Sequence, residues 1–162
     1  TANRVGEASK EAMDEAVKSM TTLNKYGAEI LHSHQIHGCT DVTGFGFLGH
    51  LHEMLDGKHS ALIYGNQIPY IKEAKSAAEE FLLTAAAQRN RNHLEGKVQF
   101  EGTSFGMEEI LFDPQTSGGL LAAVAPEEAD RVLKELRESG LPAALVGEIT
   151  EQKEIEIRVI GG

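Results

Sequence analysis

The last third of the sequence sets the tightest limit on the fold. Leu120 to Ala125 is an unbroken apolar run of strand length, which reads as a buried strand. Pro126 suits the first position of a helix, followed by Glu127 and Glu128 where the helix dipole favours negative charge. Val132, Leu133 and Leu136 give that helix its inner face, and Gly140 closes it. Two strands follow, Ala143 to Ile149 and Ile155 to Ile160, the second placing Ile155, Ile157 and Val159 on one side. A β-α-β-β tail needs a sheet with helices laid on it. The expected architecture is an α/β (α+β) layered domain, a mixed β-sheet covered by helices.

The earlier segments agree with that class. Ala8, Ala12, Met13, Ala16, Val17 and Met20 recur at helical spacing, and a short helix follows over 25–31. Residues 32–46 are not amphipathic and read as a loop or short strand leading into a helix with Phe47, Leu48, Leu51, Met54 and Leu55 on its apolar face. Ser60 to Tyr64 is a strand. A helix over 70–83 turns Ile71, Ala74, Ala78, Phe81 and Leu82 inward. Residues 88–93 read as polar and irregular, 97–101 as a strand, and 107–112 as helix or strand. No repeat, low-complexity stretch or linker divides residues 1–162, so one domain is expected.

Charge and cysteine usage exclude several functions. With 25 acidic against 15 basic residues the net charge is -10, which repels a phosphate backbone and argues against nucleic acid as a main partner. No apolar run approaches the roughly 20 residues that cross a bilayer, so no membrane partner is expected. One cysteine, Cys39, cannot close an internal disulfide, which points to a reducing, cytoplasmic setting. The chain opens on Thr1-Ala2-Asn3 with a helix almost at once, the pattern expected of a piece of something longer.

Two segments carry candidate chemistry. In Asp41-Val42-Thr43-Gly44-Phe45-Gly46-Phe47-Leu48-Gly49-His50 the glycines match G-x-G-x-x-G. A dinucleotide site needs a hydrophobic strand before that motif and an acid about 20 residues after it. Here the preceding stretch is His-rich and the acid is absent, so that reading fails. The same residues suit a metal-phosphate site: Asp41 as a Mg²⁺ ligand, Thr43 as a hydrogen-bonding group, and Gly44 and Gly46 as amides free to approach a phosphate. Equally, Asp41 or Thr43 can serve only to cap the helix that follows. The second segment, Asp113-Pro114-Gln115-Thr116-Ser117-Gly118-Gly119, suits a loop wrapped around an anion, or an ordinary turn.

Other polar groups say less. His32, His34, His37 and Cys39 are zinc-ligand types without zinc-site spacing, and Cys39 reads as a small buried thiol rather than a nucleophile. Gln88 to Asn92, with Arg89 and Asn90, form the compact basic patch. No Lys or Arg lies between Gly38 and Asp56 or between Asp113 and Gly119. A phosphoryl-transfer site therefore has to draw its positive charge from metal ions, from the Arg89 region, or from another domain. An acidic binding module for a phosphate-bearing ligand is the competing reading.

The segment Cys39 to His50 resembles a signature of the C-terminal half of selenophosphate synthetases, and Asp113 to Leu121 is similar to their second C-terminal signature. Met20-x-x-Leu23-Asn24 and Val146-Gly147-Glu148-Ile149 fit as well, so the resemblance spans nearly the whole chain in order. Sister families of the aminoimidazole ribonucleotide synthetase superfamily share the layout. The resemblance implies a C-terminal domain of that superfamily's type. It implies an enzyme that turns ATP, selenide and water into selenophosphate, AMP and phosphate with Mg²⁺, potassium supporting the reaction. It further implies a homodimer, and an N-terminal half that holds the nucleotide segment, the catalytic Cys or selenocysteine with its Lys, and most metal-binding aspartates. On this reading no catalytic residue lies in the present chain, Asp41 is a metal ligand, and Thr43, Gly44, Gly46, Gln115, Thr116 and Ser117 contact the ATP phosphates. Where several members carry glycines before an Arg-Asn pair, this chain has Ala85-Ala86-Ala87.

Overall fold

A computed structural model describes residues 1–162. Two sheets organise it. The larger has four strands in the order β3 (Val98–Glu101), β6 (Ile157–Ile160), β2 (His59–Tyr64), β5 (Gly147–Glu151). Strand β6 runs parallel to both β2 and β3, while β5 runs antiparallel to β2, so the sheet is mixed as expected. The smaller is a two-stranded antiparallel ladder of β1 (Ile36–Asp41) and β4 (Leu120–Val124).

Helices cover the large sheet. In α4 (Gly46–Leu55) the 3.6-residue period brings Leu48, Leu51 and Leu55 onto one face, each at most 2% exposed. They meet Ala61 and Ile63 of β2, Ile157 and Val159 of β6, and Met107, Leu111 and Phe112 of α7 (Phe105–Phe112). Each such leucine, fully withdrawn from water, contributes about 2 kcal/mol. The remaining helices are α1 (Ala2–Val5), α2 (Lys10–Thr21), α3 (Lys25–His32), α5 (Lys72–Glu79), α6 (Ala85–His93) and α8 (Ala129–Glu138). No helix is long and apolar enough to cross a membrane.

Several expectations need correction. Residues 88–93 are not irregular: they belong to α6. Thr84 caps it by accepting from the Ala87 amide at 3.0 Å, and the three alanines that follow are the best helix formers, so the polar half is carried along without an apolar stripe. Helix α5 is shorter than 70–83. It ends in a Schellman turn, with Leu82 N–H donating to Ala77 O at 2.9 Å and Phe81 N–H to Ala78 O at 3.0 Å. Phe81 takes the left-handed position usually given to glycine, with φ 61°, and is turned out of the core at 74% exposure. Strand β4 is half-buried rather than buried, because β1 is its one neighbour. Strand β5 starts at Gly147, opposite Ile63 of β2, rather than at Ala143.

Candidate functional site

The two Gly-containing segments leave the same end of the β1/β4 ladder, where Asp41 pairs with Leu120. Backbone hydrogen bonds then bind one loop to the other. Val42 N–H donates to Gly119 O at 2.9 Å, Gly118 N–H to Val42 O at 2.9 Å, and Gln115 N–H to Thr43 O at 2.9 Å. Asn90 of α6 clamps both, its Nδ2 donating to Gly44 O at 3.0 Å and to Phe112 O at 2.9 Å. Sequence reading placed Asn90 in a possible contact patch. The structure makes it the strut between the loops, a role visible only once α6 lies across them.

The glycines that imitate a dinucleotide fingerprint have separate packing reasons. Gly46, at φ 70°, lies so close to the chain of the second loop that a Cβ would stand 2.8 Å from Phe112 O and 2.9 Å from Asp113 O. Its amide donates to Thr43 O at 3.0 Å. A Cβ on Gly49 would meet Phe45 Cβ at 2.6 Å, so Gly49 lets Phe45 fold back over α4. Around Gly44 there is open space instead, and the residue is exposed. Of the two amides expected to face a phosphate, Gly44 keeps its access while Gly46 is engaged within the chain.

Strand alternation decides what β1 presents. Ile36, Gly38 and Thr40 face the protein, whereas His37, Cys39 and Asp41 face solvent. Cys39 is therefore exposed rather than a buried thiol, since the strand's two-residue period puts it on the outer face. Neighbouring atoms that desolvate the thiol, and then the Asp41 carboxylate, push its pKa up, so it stays a thiol. Asp41 is an exposed carboxylate at the strand end. Thr116 and Ser117 are exposed, Gln115 and Thr43 half-buried, and Ser117 holds a left-handed φ of 51°. At the start of the second loop, crowding pushes the Asp113 carboxyl above the ordinary carboxylate range. The Thr84 hydroxyl acts against that shift, and Glu109 adds to it.

No group of three or more His, Cys, Asp or Glu side chains is gathered to hold a metal ion. His34 is committed elsewhere, with Nδ1 3.1 Å from Glu128 and Nε2 2.9 Å from Glu135. Asp41 by itself fits a hard cation of the magnesium kind, which takes one or two protein carboxylates and completes its shell with phosphate oxygens and water. Positive charge is scarce. Arg91 is held by Glu108 at 3.0 Å and Glu109 at 2.7 Å, and lies over the Phe112 ring. Arg89 is exposed and pairs with no carboxylate of the chain, one residue from the Asn90 strut. A cleft of about 1580 Å³ reaches Gln115 to Gly119 at its rim but not Asp41, Thr43 or Gly44, and its walls are apolar, including Leu31, Met54, Leu136 and Leu145. The cleft is thus not the candidate site.

Residues 2–160 match the family model described as AIR synthase related protein, C-terminal domain. The chain belongs to that family. Among its relatives, the selenide, water dikinase of Agathobacter rectalis is 58% identical over 159 residues, which cover 98% of this chain and 46% of that protein. The selenide, water dikinase of Desulfitobacterium hafniense (strain Y51) is 45% identical over 90% of this chain and 43% of its own length. That of Treponema denticola is 34% identical over 98% and 47%. The chain thus spans less than half the length of the curated relatives it matches. The AIR synthase related family accounts for the layered α/β architecture, and its members named selenide, water dikinase agree with the resemblance carried by both loop motifs.

Proposed function

We propose that the chain is the C-terminal part of a selenophosphate synthetase, lending one face to an active site completed by an N-terminal half. The reaction is the conversion of ATP, selenide and water to selenophosphate, AMP and phosphate. The observation that supports this best is the joining of both motifs into one unit at the end of the β1/β4 ladder, with Asp41 exposed beside it. A bound magnesium ion supplies charge neutralisation at the phosphates. Asp41 holds it as one ligand; Gly44 leaves room for a phosphate, and Thr43, Gln115, Thr116 and Ser117 border the same junction. Gly46 contributes by keeping the two loops in contact.

Incompleteness is part of the reading. The junction carries the carboxylates of Asp41 and Asp113, and the nearby arginine that pairs with no carboxylate is Arg89, too little positive charge to stabilise a transferring phosphoryl group. The catalytic Cys or selenocysteine, its Lys and most metal-binding aspartates belong to the N-terminal half, as do most dimer contacts. Helix α2 and the turn after it leave Val17, Met20 and Leu23 between 39% and 61% exposed, which suits a surface covered by further protein. Potassium as an activating ion and a cytoplasmic setting complete the reading.

Calorimetric titration of Mg·ATP tests it, first into this chain and then into the chain mixed with the separately expressed N-terminal half. Binding that appears only in the mixture is the expected result. Tight binding by the chain alone would make the loops a complete site and favour an acidic phosphate-binding module.

A further inference from the structure

The Gly-rich segment buries one titratable side chain that the reading above leaves unused. His50 is 7% exposed on α4, and its ring packs against Phe45 with centroids 5.5 Å apart. Its Nε2 lies 3.1 Å from Thr43 Oγ1. Its Nδ1 lies 3.0 Å from Glu53 Oε2, one helical turn on, at an angle that leaves Nδ1 without a full hydrogen bond. Glu53, His50 and Thr43 thus form a line from the surface to the loop that begins at Asp41.

The partners decide which ring nitrogen carries the hydrogen. A bare Nδ1 lone pair 3.0 Å from a carboxylate oxygen would leave two electron-rich atoms in close approach, whereas an N–H there is attracted even off line, so the hydrogen belongs on Nδ1. Nε2 is then the acceptor and the Thr43 hydroxyl the donor. A hydroxyl has one hydrogen and two lone pairs. With its hydrogen turned to His50, Thr43 Oγ1 offers lone pairs alone to whatever docks at the loop.

We infer that His50, oriented by Glu53, is a positioning residue that makes Thr43 an acceptor. Thr43 then meets the hydrated divalent cation beside Asp41 and does not donate to a phosphate oxygen. The identity of that ligand rests on the composite-site reading; the direction of the hydrogen bond does not. The inference narrows what Thr43 does in that site. It also gives a role to the histidine that ends the first motif.

Two measurements test it. Long-range nitrogen NMR of the 162-residue chain should show His50 protonated on Nδ1 and bare on Nε2, and Thr43→Val should move the Nε2 resonance while leaving His52 unmoved. A His50 protonated on Nε2, or an Nε2 resonance indifferent to Thr43→Val, overturns the inference. In the full-length parent enzyme, Thr43→Val and His50→Leu should each raise the Mg²⁺ concentration for half-maximal AMP release about tenfold, the scale of one lost hydrogen bond. The double variant should be no worse than Thr43→Val. His50→Gln, whose amide oxygen can accept from Thr43, should recover most of the loss. Losses that multiply in the double variant would overturn the coupling. A parent enzyme that releases no AMP in response to selenide would instead overturn the composite-site reading, with the NMR arm still deciding the His50 assignment.

Discussion

Asn90 Nδ2 donates to the Gly44 carbonyl at 3.0 Å, from a helix that follows the glycine loop after helix α4, strand β2 and helix α5. Its second N–H donates to Phe112 O, so one amide group spans both loops. Asn90→Ala removes both bonds and strands two carbonyls, one of them on the buried residue Phe112. The expected loss is about 1–3 kcal/mol of folding free energy, read by urea titration. Asn90→Asp should cost more, because a carboxylate would face two carbonyl oxygens. An unchanged urea midpoint in Asn90→Ala would show that the loops hold together without it.

Gly46 and Gly44 should respond in opposite ways to one added methyl. Gly46→Ala drives a Cβ into the Phe112 and Asp113 carbonyls at a left-handed φ, and should destabilise by more than about 1 kcal/mol. Gly44→Ala meets nothing, so its stability should stay within about 0.5 kcal/mol of the parent. If Gly44→Ala nonetheless weakens Mg·ATP binding in the mixed halves, the open space at Gly44 is where the ligand approaches.

Acid should loosen α8 from the β1 entrance. The Gln35 amide and then His34 hold the Glu128 carboxyl below its ordinary range, and His34 with Arg131 does the same for Glu135. These folded carboxylates bind fewer protons than the unfolded chain. Their stabilisation is therefore complete above the ordinary carboxylate value of about 4.3, and is lost as pH falls through the lower folded values. Urea midpoints measured from pH 7 down to 3 should fall at the acid end. Glu128→Gln should flatten that fall. A Glu128→Gln curve parallel to the parent's would assign the acid loss to other carboxylates.

Asp41→Ala should separate function from folding. Its side chain is exposed, and its strand contacts are backbone only. In the full-length enzyme the expected result is loss of turnover with a urea midpoint unchanged within about 0.5 kcal/mol. Near-normal activity in that variant would remove Asp41 from the site.

Periodicity revealed the elements whose faces are cleanly divided. Helix α4, with Leu48, Leu51 and Leu55, and strand β6, with Ile157 and Val159, were legible because burial alone selects those positions. Helix α6 was not, because its evidence is a Thr84 cap and three alanines rather than an apolar stripe. Phe81 misled for a related reason: an aromatic at helical spacing looks inward, but the Schellman turn sets its direction. At the site, both loops were legible as motifs, and Asp41 as their exposed carboxylate. Their union was not, since Gln115 bonding to Thr43 is a long-range backbone contact that no local pattern encodes. His50 was hidden too, because a histidine in a helix gives no sign of which hydroxyl it will meet.

The β1/β4 ladder also says something about the order in which the molecule comes together. Its two strands are separated in the sequence by helices α4 to α7 and strands β2 and β3, so closing it is a non-local event that carries a loop-closure cost before any ladder bond is gained. On a ribosome, β1 emerges long before β4 and waits as an unpaired edge. The ligand-facing junction can close once β4 has emerged, before β6 arrives to join β2 to β3 in the large sheet, and a chain truncated before Leu120 would keep its Asp41 motif but have nothing to close it against.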